Sequence, residues 1–173
     1  MTSNLNKPHV FTLTRSTQWD SSWPESASED DRHILLTYMK DRFGIKEDMF
    51  DGFRVLKKNK GWWLHKDSAH LEKAARLKVL KIGIKAFEEI GQFVKPTTRL
   101  IQLIGCKATK ARFELSQLEL RKLVAGERLP VTMALENGYI ILLYKGQSLG
   151  LGLLIHGELR SQLPVKEIRV SMV

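Results

Sequence analysis

The sequence predicts an α+β fold in which a small N-terminal α/β domain precedes a β-barrel with one main helix. Two observations support this prediction. Residues 31–106 combine an amphipathic helix with hairpin and strand patterns. Residues 107–173 contain four or five short strand patterns and a single helix, which is typical of a small barrel. Residues 1–30 are expected to form a polar N-terminal segment ahead of both domains.

The N-terminal domain begins with a helix that has clear start and stop signals. Ser28 is the expected N-cap, and the acidic residues 29–31 suit the positive end of the helix dipole. Gly44 is the expected stop signal. An apolar stripe lies between these signals and consists of Leu35, Leu36, Met39 and Phe43. Residues 45–53 predict one further short helical turn.

A β-hairpin is predicted over residues 53–65, with its turn at residues 58–61. Alternation along these strands indicates that Phe53, Val55 and Trp63 contribute to the core. The basic turn beside Trp62 is typical of a surface that binds phosphates and stacks bases, and equally of lysines that are merely solvated. The role of Trp62 therefore stays open.

The rest of this domain is predicted from shorter signals. Asp67 or Ser68 can cap a second helix, and residues 78–87 alternate like a strand. Pro96 suits the first turn of a short helix that ends at Gly105.

The C-terminal domain is predicted to open with a strand over residues 110–116 that runs into a helix. Ser116 and Glu119 have the spacing of a capping box, and Gly126 ends the helix. The following strand patterns comprise residues 138–144, residues 147–157 and a closing strand over residues 166–173.

The charge of the chain is unevenly distributed. Residues 1–51 carry a net charge of −3, whereas residues 52–94 and residues 95–173 each carry +6, which gives +9 in total. A basic body behind an acidic segment favours a polyanion partner, most often nucleic acid, although a solvated basic surface has the same composition. Trp19 and Trp23 are expected to fold back onto this body, where their rings would bury apolar area.

Several other classes of protein are not expected from the sequence. No stretch is apolar enough to span a membrane, and no secretory signal is recognisable. Cys106 has no partner for an internal disulfide, which fits a cytoplasmic location, and we expect it to be a small buried residue. The five histidines have no metal-ligand spacing.

Gly150 and Gly152 interrupt an apolar strand and allow two interpretations. In the first, they let a barrel strand bend and let a neighbouring element pack closely. In the second, they form a bare patch that accepts a flat base or a phosphate beside Arg160 and Gln162. The sequence is compatible with both interpretations.

These motifs, taken in order, resemble the PUA domain, an RNA-binding module, in the variant found at the C-terminus of Sun-type RNA cytosine-5 methyltransferases. The matching elements are Ser116 and Glu119, Leu123–Glu127, Gly138–Ile140, Leu149–Gly152, Gly157–Ser161 and Pro164. Ser161 departs from the family, which usually has Asn at this place. Residues 76–105 resemble the segment before that domain, so the resemblance covers roughly residues 33–173 and implies a pre-PUA domain at residues 31–106.

The size and layout of the chain also resemble the Nip-type assembly factors of the large ribosomal subunit. These resemblances imply a non-catalytic protein that binds structured rRNA or tRNA in ribosome biogenesis or RNA modification. The glycine-rich cofactor loop of a methyltransferase is missing from the sequence, so no cofactor is expected. The alternatives are an accessory RNA-binding subunit of a separate cytosine-5 methyltransferase, and an adaptor that docks on another protein, such as a ribosome assembly protein.

The expected RNA-binding residues are mostly basic and lie in the C-terminal domain. They are Lys107, Lys110, Arg112, Arg121, Lys122, Gly126, Arg128, Lys145, Gly150, Gly152, Arg160, Gln162, Lys166 and Arg169. Phosphate contacts would supply affinity, and the shape of the RNA would supply selectivity.

Overall fold

The computed structural model describes residues 23–74, 82–132 and 134–164 of the 173-residue chain. The predictions for Trp19, Lys166, Arg169 and the closing strand lie outside these residues. Within them the fold is a mixture of α and β structure built on two five-stranded sheets.

The first sheet is antiparallel and has the strand order β1-β2-β3-β4-β5. Its strands are β1 (Glu25–Ser26), β2 (Phe53–Lys58), β3 (Gly61–Lys66), β4 (Ile84–Ile90) and β5 (Phe93–Pro96). The helices of this half are α1 (Glu29–Phe43) and α2, described over Leu71–Ala74, and a short 3₁₀ turn follows α1 at Glu47–Phe50.

The predicted caps and the predicted apolar stripe of helix α1 are confirmed. The Ser28 side chain accepts a hydrogen bond from the Asp31 backbone N–H, and Gly44 ends the helix with a φ of 64°. All four residues of the predicted stripe are buried. Trp23 is also buried and packs with Leu71, which confirms that this tryptophan folds back onto the body.

Of the predicted core residues on the first hairpin, Val55 is buried, whereas the prediction is wrong for Phe53 and Trp63. Phe53 is 40% exposed, and Trp63 is half-buried with Lys85 Nζ lying 5.7 Å from its ring centroid. Trp62 is the buried tryptophan, because it shares a sheet face with Val55 and Leu64 that packs in the core beneath α1. Trp63 points to the opposite face of the sheet.

Pro96 ends strand β5 instead of opening the next helix. Helix α3 (Thr98–Ile104) is capped by Thr97, whose hydroxyl accepts a hydrogen bond from the Leu100 backbone N–H. The predicted start of this helix is Pro96. The helix is instead capped by the side chain of the next residue, Thr97.

The second sheet has the order β6-β8-β9-β10-β7 and curls into a half-barrel. Its strands are β6 (Arg112–Glu114), β7 (Leu129–Pro130), β8 (Gly138–Tyr144), β9 (Gln147–Ile155) and β10 (Glu158–Ser161). Strand β6 pairs parallel to β8, and the other pairs are antiparallel. Helix α4 (Gln117–Val124) connects β6 to β7.

The capping box of α4 is confirmed. Ser116 Oγ accepts from the Glu119 backbone N–H at 3.3 Å, and Glu119 Oε2 accepts from the Ser116 backbone N–H at 2.8 Å. The buried Leu120 and Leu123 turn one face of α4 toward the curled sheet, where they join a core with Ile140.

A second core joins the two sheets. It combines the buried face of α1 and the first sheet with Ile141, Leu143 and Leu151 of the second sheet. Helix α3 contributes Leu100 and Ile101 to this core. The proposed domain boundary at residue 106 therefore falls beside a hydrophobic core that both halves share.

Candidate nucleic-acid interface

The predicted basic residues around α4 are all exposed. Five of them occupy the short segment before β6, β6 itself and α4, and these are Lys107, Lys110, Arg112, Arg121 and Lys122. Gly126 follows α4 and is exposed as well. Because α4 uses its leucine face for packing, its Arg121 and Lys122 lie on the solvent side. This group of five basic residues is called the α4 surface below.

Local contacts hold the edges of the α4 surface. Arg112 Nη1 donates to the Ala108 carbonyl at 3.3 Å, and Glu114 Oε1 accepts from the Gly146 backbone N–H at 3.1 Å. The second contact ties the end of β6 to the β8–β9 turn. Lys145 lies in this turn, with its Nζ 5.2 Å from the Tyr144 ring centroid. The turn therefore adds a further cation near β6.

Arg128 and Arg160 lie elsewhere and share one carboxylate. Arg128 Nη1 and Arg160 Nη2 lie 3.0 Å and 3.4 Å from Glu158 Oε2. The hydrogen bond from Arg128 is the main reason that the pKa of Glu158 lies below its ordinary value. The Arg160 side chain is only 39% exposed, and its buried Nε has no hydrogen-bond partner among the described residues. Two guanidinium groups and one carboxylate leave this cluster with a net charge of +1.

The bare patch expected at Gly150 and Gly152 is not present, because both glycines are buried. A Cβ atom at Gly150 would lie 2.8 Å from Leu163 Cδ2, and one at Gly152 would lie 2.7 Å from Leu159 Cδ1. Gly150 also has a φ of 155° beside a bulge, since Leu142 pairs with it and Leu143 pairs with Ser148. These observations support the close-packing interpretation of the glycines.

Gln162 belongs to a contact that the sequence did not predict. Lys95 of β5 donates to Gln162 Oε1 at 3.4 Å, and the same ammonium lies 5.6 Å from the ring centroid of Tyr139. Burial, together with a smaller effect of the Glu88 carboxylate, raises the pKa of Tyr139. Lys95 precedes the proposed C-terminal domain, so a search confined to that domain could not find it.

Arg42 of α1 fastens the first half of the chain to the start of β8. Its guanidinium donates to the carbonyls of Tyr139 at 2.9 Å and Glu136 at 3.1 Å. It borders an open groove of about 770 Å³ that also contains Lys110 and Tyr38. Burial raises the pKa of Tyr38 to about 12, so this phenol stays neutral at physiological pH. The hydrogen bond from the Arg42 side chain to the Tyr139 carbonyl therefore fixes the position of the Tyr139 backbone.

Cys106 is exposed, so the expectation that it is buried is wrong. It lies in the 3₁₀ turn Gly105–Lys107, in which Gly105 is the buried residue. The described parts of the chain contain no group of three or more His, Cys, Asp or Glu side chains arranged to hold a metal ion. No helix among the described residues is long and apolar enough to cross a membrane.

Comparison with known proteins identifies the C-terminal part of the chain. A search of curated proteins found no match. The family model of the methyltransferase RsmF PUA domain matches residues 110–169. This span contains β6, α4 and the remaining strands of the curled sheet. Residues 110–169 therefore carry a PUA domain that resembles the PUA region of Sun-type RNA methyltransferases.

Proposed function

We propose that this protein binds structured rRNA or tRNA without catalysing a reaction itself, and that it acts in ribosome biogenesis or RNA modification in the cytoplasm. The PUA match over residues 110–169 supports RNA binding. The proposal assigns residues 31–106 to a pre-PUA domain that supports the RNA-binding half. The shared hydrophobic core is consistent with such a supporting role.

The observation that carries this proposal is the exposed basic α4 surface within and beside the matched segment. Its five cations project into solvent from one helix, one edge strand and the segment before that strand. Three carboxylates lie along the same stretch of chain, Glu114, Glu119 and Glu127, and the neutral hydrogen-bond donors to the first two leave their charge in place. The five cations exceed these three carboxylates by two positive charges, which favours a phosphate backbone.

A second candidate function is that of an accessory subunit that delivers RNA to a separate cytosine-5 methyltransferase. The observation that favours it is that the matching family model describes the PUA domain of a methyltransferase. Addition of this protein to a methyltransferase that lacks its own PUA domain should then increase methyl transfer to RNA. The adaptor hypothesis has weaker support, because Trp23 is buried and offers no docking surface.

The test of RNA binding combines two substitutions on the α4 surface, Arg121→Gln and Lys122→Gln. Loss of two phosphate contacts should weaken binding of a tRNA transcript or an rRNA hairpin by roughly three- to tenfold at low salt. Fluorescence anisotropy measures the affinity, and melting temperature verifies folding.

Lys73→Gln is the matched control, because Lys73 is exposed on α2 in the other half of the chain. Its affinity should equal that of the wild-type protein. If the wild type, the double variant and the control bind RNA with equal affinity, Arg121 and Lys122 are not part of the binding site. Absence of any RNA binding by the wild type would overturn the proposed function itself.

A further inference from the structure

A row of side chains crosses the outer face of the curled second sheet, away from α4 and next to the part of this face that packs against the first sheet in the shared core. Leu153 of β9 pairs with Tyr139 of β8 and with Arg160 of β10, so the three side chains point to the same face. Ile140 and Leu159 alternate with this row and enter the core beneath α4. The row and the helix cations Arg121 and Lys122 are therefore on opposite sides of the sheet.

The first sheet completes this outer-face row. Lys95 of β5 places its ammonium 5.6 Å from the Tyr139 ring centroid and 3.4 Å from Gln162 Oε1. Gln162 follows β10, and its backbone N–H donates to the Leu151 carbonyl at 3.0 Å. The arrangement brings together residues from both halves of the chain, and the name "outer-face row" is used below for Lys95, Tyr139, Leu153, Arg160 and Gln162.

The chemistry of the outer-face row matches one unpaired nucleotide. Tyr139 offers a half-buried aromatic ring, and Leu153 provides an adjoining half-buried apolar side chain. Lys95 and Arg160 lie at the two ends as cations, and Gln162 presents an amide. Aromatic rings stack on bases of any sequence, and neighbouring cations bind the phosphates that link them. A structured RNA offers such bases at its loops, bulges and ends.

The charges around the row favour an anionic partner. Glu158 is shared by Arg128 and Arg160, and Glu88 forms an ion pair with Lys85 at 2.7 Å. Both carboxylates are thus already compensated by cations. Lys95 and the excess charge of the arginine pair remain to attract phosphate.

The contacts that Lys95 makes with the described residues are weak. A cation–π contact at a solvent-accessible site stabilises by less than the stacking of a base on an aromatic ring. The hydrogen bond to Gln162 is long, at 3.4 Å. An arriving nucleotide can therefore replace the ammonium on the Tyr139 ring, while the ammonium moves to the adjacent phosphate.

We propose that the outer-face row binds an unpaired nucleotide of the RNA, with Tyr139 stacking on the base and Lys95 and Arg160 contacting the flanking phosphates. This inference rests on the proposed RNA-binding function and adds a second contact, across the sheet from Arg121 and Lys122 of α4. The two contacts would hold a structured RNA by its helical part and by a single-stranded part.

The test uses the full chain and an oligouridine of about ten nucleotides as a single-stranded probe. Tyr139→Leu keeps an apolar side chain but removes the ring, so the affinity should fall by roughly five- to tenfold. Tyr139→Phe keeps the ring and should bind like the wild type. Lys95→Gln, at an accessible position, should weaken binding by about threefold or more, whereas Lys73→Gln should have no effect.

These variants separate the inference from the proposed function. Tyr139→Leu and Lys95→Gln should bind an RNA duplex without loops as tightly as the wild type does, because the α4 surface is intact. Unchanged oligouridine affinity in both variants, with normal binding of structured RNA, would overturn the inference and favour a protein as the partner of this row. Equal losses in Tyr139→Phe and Tyr139→Leu would likewise exclude stacking.

Discussion

At the residue scale, a missing methyl group at Gly152 determines how closely three strands pack. A Cβ atom there would lie 2.7 Å from Leu159 Cδ1, 3.1 Å from Leu142 Cδ2 and 3.3 Å from the Arg160 carbonyl oxygen. The first two atoms belong to the core beneath α4. The role of this glycine is therefore to let the core close.

We expect Gly152→Ala to lower the free energy of unfolding by about 1–3 kcal/mol, because the added methyl group overpacks the core. Denaturant titration measures this loss, and the protein that remains folded should bind RNA with unchanged affinity. Leu159→Ala removes the closest atom, so the double variant should be less destabilised than the sum of the single variants. Additive losses, or a fall in RNA affinity without a loss of stability, would contradict close packing.

At the element scale, the capping box stabilises helix α4, which carries Arg121 and Lys122 of the α4 surface. Two hydrogen bonds from Ser116 hold the pKa of Glu119 below its ordinary value. The bond from the side chain has the larger effect, and the bond from the backbone N–H has the smaller one. A carboxylate with a lowered pKa in the folded state contributes stability above its unfolded pKa. This contribution is lost as the pH falls through the folded value.

We expect Ser116→Ala to cost about 1 kcal/mol of stability at neutral pH, which is typical of the loss of an N-cap. In the wild type, part of the stability should disappear as the pH falls below the ordinary glutamate value of 4.5. Ser116→Ala should show less of this loss, because its Glu119 loses the hydroxyl that lowers the pKa most and keeps only the backbone hydrogen bond. Parallel stability curves for the two proteins between about pH 3 and 7 would contradict the assignment.

Elements with local signals could be predicted from the sequence, whereas long-range pairing could not. Ser28 and Ser116 cap their helices through residues three positions away, so their motifs are visible in a short window. The burial of Trp62 depends on which sheet face packs beneath α1, and both tryptophans fit an apolar strand. The contact between Lys95 and Tyr139 joins two sheets, and nothing local to either residue indicates it.

At the scale of the whole molecule, α3 fastens the two sheets to each other. On one side, the Thr97 backbone N–H that precedes α3 donates to the Ala86 carbonyl of β4 at 2.8 Å. On the other side, Ser148 of β9 donates its hydroxyl to the Ile101 carbonyl at 2.8 Å. Ile101 is fully buried in the core that both sheets share. This arrangement predicts that the two halves unfold together.

Ile101→Ala should lower the free energy of unfolding by about 2–5 kcal/mol, because it leaves a cavity in the shared core. Hydrogen exchange should show similar destabilisation of the amides in β2–β3 and in β8–β9, since both hairpins pack on this core. Two separate unfolding transitions, or destabilisation of only one sheet, would show that the halves fold independently.

The most direct test of the central claim, that exposed cations bind RNA phosphates, is the salt dependence of RNA affinity. Between about 50 and 200 mM salt, the logarithm of the wild-type association constant should fall linearly with the logarithm of salt concentration, with a slope of about −3 or steeper. The Arg121→Gln, Lys122→Gln double variant should have a slope shallower by roughly 1.5 to 2, since each lost phosphate contact reduces it by about 0.7 to 0.9. Absence of RNA binding at about 50 mM salt, or an affinity independent of salt, would contradict the claim.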